Sequence, residues 1–99
     1  MKNIPNPTFS IPFTVGPNGR NATAKDLLLA AVDQAPNGGF DLATQRARNR
    51  VADAVEKVAD GGEIVLEDAD YTTAQEAVKA WRSGIRHKDI EQFYALWGV

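Results

Sequence analysis

The residues that could carry out chemistry fall into three groups, of which the carboxylates are the most closely spaced. Glu67, Asp68 and Asp70 nearly adjoin in sequence, and carboxylate oxygens are the ligands that hard cations such as Mg²⁺ prefer. The run has neither the glycine nor the distal glutamate of a calcium-binding loop. It also stands where a helix is predicted to begin, and the helix dipole stabilises negative charge there. We therefore favour capping and solvation over metal binding, and predict no metal and no cofactor.

The single histidine, His87, would have to serve any mechanism that needs an imidazole as acid or base. It lies between Arg86 and Lys88, whose positive charges disfavour its protonated form. Ser10 and Ser83 do not lie in the glycine-flanked turn of a nucleophilic serine, and the sequence has no cysteine. We predict that His87 is exposed in a linker and that the protein is not an enzyme.

Basic side chains form the third group and point to an alternative function. Arg46 and Arg50 share one face of a predicted helix, whereas Arg48 points away because two helical positions turn a side chain by about 200°. Four further bases flank Trp81, and aromatic rings with bases can hold nucleic acid by stacking and phosphate contact. These four are Lys79, Arg82, Arg86 and Lys88. Since Trp81 falls on an apolar stripe and the net charge is −2, a solvated face is favoured.

Aromatic side chains crowd the C-terminal end of the sequence. Phe93, Tyr94 and Trp97 lie on one side of a predicted helix, and Leu96 lies off that side. A helix that is apolar on more than one side either docks deeply in its own core or covers a partner. Core docking is favoured, and the second interpretation is the main reason to expect a protein partner or self-association.

Charge is segregated in the second half of the sequence. The segment from Glu63 to Glu76 contains acids and no base, and the charged residues from Lys79 to Lys88 are all basic. Such segregation creates local potentials that a partner can recognise even when the net charge is small. The predicted interaction residues are therefore the aromatics together with the charged surfaces: Phe93, Tyr94, Trp97, Asp68, Asp70, Arg82 and Arg86.

Length and composition predict one small domain over residues 1–99, with residues 1–8 as an extended arm. The 99 residues are enough for one core and too few for two, and no cysteine is present to form disulfides. No apolar run approaches the ~20 residues of a membrane span. Prolines interrupt the apolar positions near the N-terminus, so a secretion signal is not expected. The composition favours a cytoplasmic protein that does not engage a membrane.

The predicted fold class is α+β and predominantly helical, with about four helices. Alternating apolar positions from Phe9 to Val15 predict an edge strand, which pairs with residues 63–67 in a small two-stranded β element. Residues of the second helix include a stripe of small side chains that permits close approach to a neighbour. The helices are predicted from the capping box of Thr23 and Asp26 to before Pro36, from the N-cap Asp41 to Gly61-Gly62, from about Asp70–Thr73 to Ser83-Gly84, and from about Lys88.

The order of these segments is similar to a known group of proteins. Ile11-Pro12-Phe13 precedes a leucine-rich helix and an Ala/Arg helix, and then Glu63–Asp70 leads into Ala74–Lys79. The sequence in this respect resembles short phage- and prophage-encoded proteins, over most of its length from about Ile11. The resemblance implies a viral origin, and hence roles in assembly or in interference with host proteins in the host cytoplasm.

Three hypotheses about function follow from these patterns. The leading one is a non-catalytic interaction protein that binds another protein, of host or virus, or a second copy of itself. The second is a binder of nucleic acid or nucleotide phosphate, whose contacts would be Arg46, Arg50, Lys79, Arg82, Arg86 and Lys88. The third, a metal-dependent enzyme using the carboxylates, is disfavoured because capping already explains them.

Overall fold

The computed structural model describes residues 1–13, 19–35, 38–58, 62–84 and 86–99. Within them the chain forms four helices and two small antiparallel sheets, so the predominantly helical α+β class is confirmed. In chain order the elements are β1 (Lys2–Ile4), β2 (Thr8–Pro12), β3 (Asn21–Thr23), α1 (Ala24–Asp33), α2 (Leu42–Glu56), β4 (Ile64–Leu66), α3 (Asp68–Ala80) and α4 (Lys88–Leu96).

The strands pair differently from the prediction. β4 pairs with β1, with Ile4 opposite Ile64, and not with the strand around Phe9. The segment expected to be an extended arm therefore supplies a strand, because burying Ile4 covers the inner faces of Ile64 and Leu66. β2 pairs instead with β3 and ends at Pro12, so Phe13 lies beyond the strand that was predicted to include it. The last two positions of that prediction, residues 14 and 15, lie outside the described residues.

The first two helices begin where the sequence predicts. Thr23 caps α1, its hydroxyl accepting from the Asp26 N–H while the Asp26 carboxylate accepts from the Thr23 N–H, which is the predicted capping box. Asp41 caps α2 by accepting from the Thr44 N–H at 2.7 Å. α2 ends at Glu56, before the predicted Gly61-Gly62. The Nζ of Lys25 donates to the Val58 carbonyl at 2.9 Å, just beyond this end.

α3 begins earlier than predicted and its start uses no side-chain cap. Glu67 is the extended N-cap residue, and helical backbone runs from Asp68. Thr72 and Thr73 have capping-box spacing to Gln75 and Glu76 in the sequence, which predicts a start at these threonines. Both instead lie inside the helix, where their hydroxyls donate to the carbonyls four residues back, Thr72 to Asp68 and Thr73 to Ala69, both at 3.2 Å. The helix ends at Ala80, ahead of the predicted Ser83-Gly84, with Trp81 as its C-cap.

α4 follows the predicted boundary at Lys88 and docks its apolar side on the rest of the chain. Phe93 and Trp97 are fully buried, and Phe93 meets Phe9 of β2 edge-to-face with ring centroids 6.4 Å apart. The radius of gyration is 13.2 Å, close to the value of about 13 Å expected for a compact chain of this length. None of the helices in the described part combines the length and apolar character that a bilayer crossing requires.

Candidate protein-binding surface

The carboxylates that were considered as cation ligands, Glu67, Asp68 and Asp70, do not converge. Asp70 is only 8% exposed, and its carboxylate forms an ion pair with the Arg50 guanidinium of α2 at 3.3 Å. Asp68 points into solvent and lies 3.5 Å from the amino terminus. Across the described residues, no three acidic, histidine or cysteine side chains are grouped as a metal site would need. Two helical positions separate Asp68 from Asp70, so their side chains point in different directions. Asp70 joins α2 to α3 through its ion pair with Arg50 and, being buried, is not part of an exposed interaction surface.

His87 is a helix cap and not an exposed linker residue. It is half-buried at the N-cap of α4, and its Nδ1 accepts from the backbone N–H of Asp89 at 3.1 Å. This occupies a ring nitrogen that a general base would need free. The role was missed because Ser, Thr, Asp and Asn, not His, are the residues that signal a helix start in sequence.

The C-terminal aromatics lie in the core and do not form a contact surface. Phe93 and Trp97 have no solvent exposure. Tyr94 is half-buried, and its hydroxyl donates to the Trp81 carbonyl. Tyr71 stacks on Trp97 with ring centroids 5.7 Å apart. The prediction that Phe93 and Trp97 meet a partner is therefore wrong for this folded state, because burial in the core removes both from any partner's reach.

The arginines of α2 have three different environments. Arg46 is exposed. Arg50 pairs with Asp70 and not with Asp53, since the neighbouring helix presents the nearer carboxylate. Arg48 turns away from both, as predicted, and its Nη1 donates to carbonyls at the end of α1, including those of Val32 at 3.0 Å and Gln34 at 2.7 Å. Burial lowers the pKa of the Arg48 guanidinium from its ordinary value.

The bases on either side of Trp81 in the sequence are exposed, although Trp81 itself is not a free stacking platform. Trp81 is half-buried, and its ring packs edge-to-face against Phe93 at 5.6 Å. Gln34 fixes the backbone here by accepting from the Arg82 N–H at 2.9 Å. The accessible basic side chains are Lys79, Arg82, Arg86 and Lys88. They can contact phosphate without an aromatic partner.

A groove between α2 and α3 is the feature that sequence analysis missed. Arg50 of α2 meets Asp70 near the start of α3, and Ala43 of α2 lies beside Ala80 at the end of α3. The two helices are therefore antiparallel. The groove between them has a volume of about 440 Å³. Its walls are mostly small side chains: Ala43, Thr44, Ala47, Arg48, Thr73, Glu76, Ala77 and Ala80.

The small-residue stripe of α2 explains the groove. The C-terminal part of that stripe, at Val51 and Val55, is fully buried. In its N-terminal part Ala47 is half-buried and Ala43 is exposed. The sequence predicted that this stripe lets a neighbour come close, and α3 is that neighbour. Because alanine fills little space, the N-terminal part of the stripe, at Ala43 and Ala47, leaves an open hollow beside α3.

Exposed apolar side chains stand at the same end of α2. Leu42, the first residue of the helix, is 65% exposed, and the next residue, Ala43, lines the groove. Phe40 is 38% exposed and lies under the Arg48 guanidinium, 5.3 Å from its ring centroid. Arg48 also lines the groove, so its bonds to α1 hold one wall in place.

Comparison with known proteins adds no relative. No protein-family model matches the sequence, and no curated protein or solved structure matches it at significance. The candidate surface therefore rests on its own residues.

Proposed function

We propose that this protein is a non-catalytic protein-binding domain, and that the α2–α3 groove, together with the exposed Leu42 that precedes its lining residue Ala43, is its binding surface. The observation that carries the proposal is an open hollow of about 440 Å³ lined by four alanines, with a leucine 65% exposed one residue before its lining begins. Leaving a leucine in water forgoes about 1.5 to 3 kcal/mol of burial free energy. A partner that covers Leu42 and fills the hollow recovers that free energy.

The shape of the groove favours a helix as the bound element. A third helix packs its ridge of side chains into the furrow between two antiparallel helices. The lining runs from Ala43 to Arg48 on α2 and from Thr73 to Ala80 on α3, so the furrow is about 10 Å long. Small side chains at Ala43, Ala47 and Ala80 allow the backbone of the incoming helix to approach closely.

The polar residues that could serve in catalysis have structural roles in the fold, which supports binding over catalysis. Asp70 bridges to Arg50, and His87 caps α4. Asp41 caps α2. Each of these groups satisfies a backbone or ionic partner within the fold, and none of them lies among the residues that line the groove.

The proposal is tested by capturing partners with three forms of the tagged protein. Leu42→Asp places a charge at the exposed residue that precedes the lining residue Ala43, and Val65→Asp makes the same kind of change at another exposed apolar residue, on β4. A partner retained by the wild type and by Val65→Asp but lost from Leu42→Asp supports the groove. Partners bound equally by all three forms would contradict it.

We propose a phage role for the domain on the strength of the sequence resemblance, in assembly or in interference with a host protein in the cytoplasm. Both roles need a surface that binds protein, and neither needs catalysis. Genomic neighbourhood separates them, because an assembly factor is expected beside tail genes and an interfering protein beside early genes. A gene surrounded by ordinary bacterial metabolic genes would contradict the viral proposal.

Nucleic-acid binding is the second candidate, favoured by the exposed bases between α3 and α4. The ion pairs formed among the described residues do not involve Lys79, Arg82 or Lys88. Phosphate contacts release counterions, so affinity for a DNA or RNA oligonucleotide should fall steeply as salt rises. Arg82→Glu should weaken that binding and Leu42→Asp should not. No binding at low salt would exclude this candidate.

A further inference from the structure

A second hollow, the α1–α2 pocket, lies where the end of α1 meets α2. Its volume is about 150 Å³, close to that of an engineered protein cavity of about 150 Å³ that binds benzene. Val32, Ala52 and the ring of Phe40 supply its apolar walls. Its polar side chains are Asp33, Gln45, Arg48 and Asn49. The pocket therefore has room for a single ring and has polar groups to bind it.

Arg48 lines both the α2–α3 groove and the α1–α2 pocket, but its guanidinium lies at the pocket. The guanidinium donates to the Val32 carbonyl and lies over the Phe40 ring, and both of these residues line the pocket and not the groove. Within the described part of the chain, all hydrogen bonds from Arg48 use Nη1. The edge formed by Nε and Nη2, which can donate to two neighbouring acceptors at once, therefore has no acceptor in the fold.

Asp33 lines the same pocket without neutralising Arg48. Asp33 is exposed, and the ion pairs among the described residues join other side chains. Arg48 therefore offers donors from one wall, and Asp33 offers acceptors from another. Asp33 would repel an anion in the pocket, and Arg48 would repel a cation. The walls favour a neutral planar group that presents acceptors to Arg48 and a donor to Asp33.

We propose that the α1–α2 pocket binds a cytosine base, either of a free cytidine nucleotide or of a single-stranded nucleic acid. Cytosine is one neutral ring, and one of its edges carries two neighbouring acceptors, O2 and N3, followed by the N4 amino donor. The Nε and Nη2 groups of Arg48 donate to O2 and N3, and Asp33 accepts from N4. The Phe40 ring supplies an aromatic surface for stacking.

Uracil is the base that the same walls reject. It carries an N–H donor at position 3 and a carbonyl acceptor at position 4, so a donor faces Arg48 and an acceptor faces Asp33. Polar groups left without partners in this way cost binding free energy. Guanine also offers acceptors and a donor, but its two rings need more room than a single-ring pocket provides. The site is separate from the proposed protein-binding surface, because Leu42 does not line it.

The first test is an NMR titration of the labelled protein with nucleosides, which have no phosphate to bind the exposed basic side chains. Cytidine is expected to shift the amide signals of residues 32–33 and 45–52. Uridine should bind about tenfold more weakly or less. No shift at millimolar cytidine, or equal binding of cytidine, uridine and guanosine, would overturn the proposal.

The second test uses variants at exposed positions, since Arg48 also stabilises the fold. Asp33→Ala removes the acceptor for N4, so it should weaken cytidine binding about tenfold and remove the preference over uridine. Asp53→Ala removes an exposed acid of α2 that does not line the pocket, and it should bind cytidine as the wild type does. Cytidine binding that is as tight in Asp33→Ala as in the wild type would overturn the assignment.

A single-stranded octamer of deoxycytidine identifies the source of the base. An octamer that binds more tightly than cytidine, and that Asp33→Ala binds more weakly, indicates a nucleic acid. An octamer that binds no more tightly than cytidine indicates a free nucleotide. Both results support the pocket. Leu42→Asp should bind cytidine as the wild type does, so failure of the groove and failure of the pocket are measured separately.

Discussion

Several polar side chains of this protein form hydrogen bonds with backbone groups at the ends of helices. Helix ends leave carbonyl and N–H groups without helical partners. Arg48 donates to the last carbonyls of α1, and Lys25 donates to Val58 beyond the end of α2. Asp41 and His87 accept from the first N–H groups of α2 and α4. Arginine, lysine, aspartate and histidine also occur in active sites, and here they bind the backbone at the ends of helices.

Arg48 is expected to be the most important of these side chains for stability. Replacing it by Met keeps much of its aliphatic volume and removes its bonds to the carbonyls of Val32 and Gln34. We expect the free energy of unfolding to fall by about 2 kcal/mol, because part-buried carbonyls lose a charged donor. Arg46→Met, at an exposed position, should change it by less than about 0.5 kcal/mol. Urea unfolding measures both, and equal effects would contradict the role of Arg48.

Asp26 should make stability depend on pH. The Arg20 guanidinium that donates to it, aided by the N–H and hydroxyl of Thr23, holds the pKa of Asp26 below its ordinary 3.8. A carboxyl with a lowered pKa in the folded state stabilises the protein above its unfolded pKa. That contribution disappears as the pH falls through the folded pKa. The loss therefore begins below about pH 5.

Asp26→Asn tests this dependence through unfolding measured from neutral to acid pH. The variant should be less stable at pH 7, since it loses the charged capping box, and its stability should change less below pH 4 than that of the wild type. Glu91→Gln, at an exposed position of α4, controls for the loss of one negative charge. An acid dependence that is as steep in Asp26→Asn as in the wild type would refute the assignment.

At the scale of elements, packing determines the structure more than local propensity does. The helices span 9 to 15 residues, lengths at which an isolated helix is marginal in water. Each is held by an apolar side turned to the core, with Leu28 of α1, Val51 of α2 and Val78 of α3 fully buried. The strands of the sheet formed by β1 and β4 have three residues each, too few to be stable without that core.

Strand β1 provides the clearest test of this dependence. Ile4→Ala should lower the free energy of unfolding by about 2 to 4 kcal/mol, because Ile4 is buried opposite Ile64. Asn3→Ala, in the same strand but exposed, should have an effect below about 0.5 kcal/mol. Thermal or urea unfolding of both variants distinguishes a paired strand from a loose arm. In a loose arm both substitutions would be silent.

The elements that sequence could predict are those whose signals are local. The capping box of Thr23 and Asp26 and the cap at Asp41 lie within four residues of the helices that they start, and both were correct. The pairing of β1 with β4 joins positions sixty residues apart, and two nearby prolines concealed the strand. The start of α3 was missed because it has no side-chain cap, while Thr72 and Thr73 supplied a misleading one.

The candidate site could be predicted only in part for the same reason. The stripe of small residues on α2 was visible in the sequence, but a groove depends on where α3 lies against it. Conversely, the aromatics of α4 have the composition of a contact surface, and only the docking of α4 against β2 and α3 shows them buried. Periodicity identifies an apolar side and does not identify what covers it.

At the scale of the whole molecule, aromatic contacts join the parts that the short sheets leave separate. Phe93 contacts Phe9 of β2 and Trp81 at the end of α3, with ring centroids 6.4 and 5.6 Å apart. Trp97 stacks on Tyr71 of α3, and its carbonyl accepts from the Gln75 side chain at 2.8 Å. α4 therefore closes the core from the C-terminal side.

Removing one of these rings should lower the free energy of unfolding of the whole domain. This effect distinguishes a ring that packs in the core from a ring that contacts a partner. Phe93→Ala deletes a fully buried ring that touches two other elements, and we expect a loss of about 3 to 5 kcal/mol in the free energy of unfolding. Domains of this size have a total of only about 5 to 15 kcal/mol, so Phe93→Leu is the milder companion variant. Tyr94→Phe, which removes only the hydroxyl bonded to Trp81, should cost about 1 kcal/mol. If these aromatics instead formed a partner surface, Phe93→Ala would leave urea unfolding unchanged and abolish association, which is the result expected for the exposed Leu42→Asp.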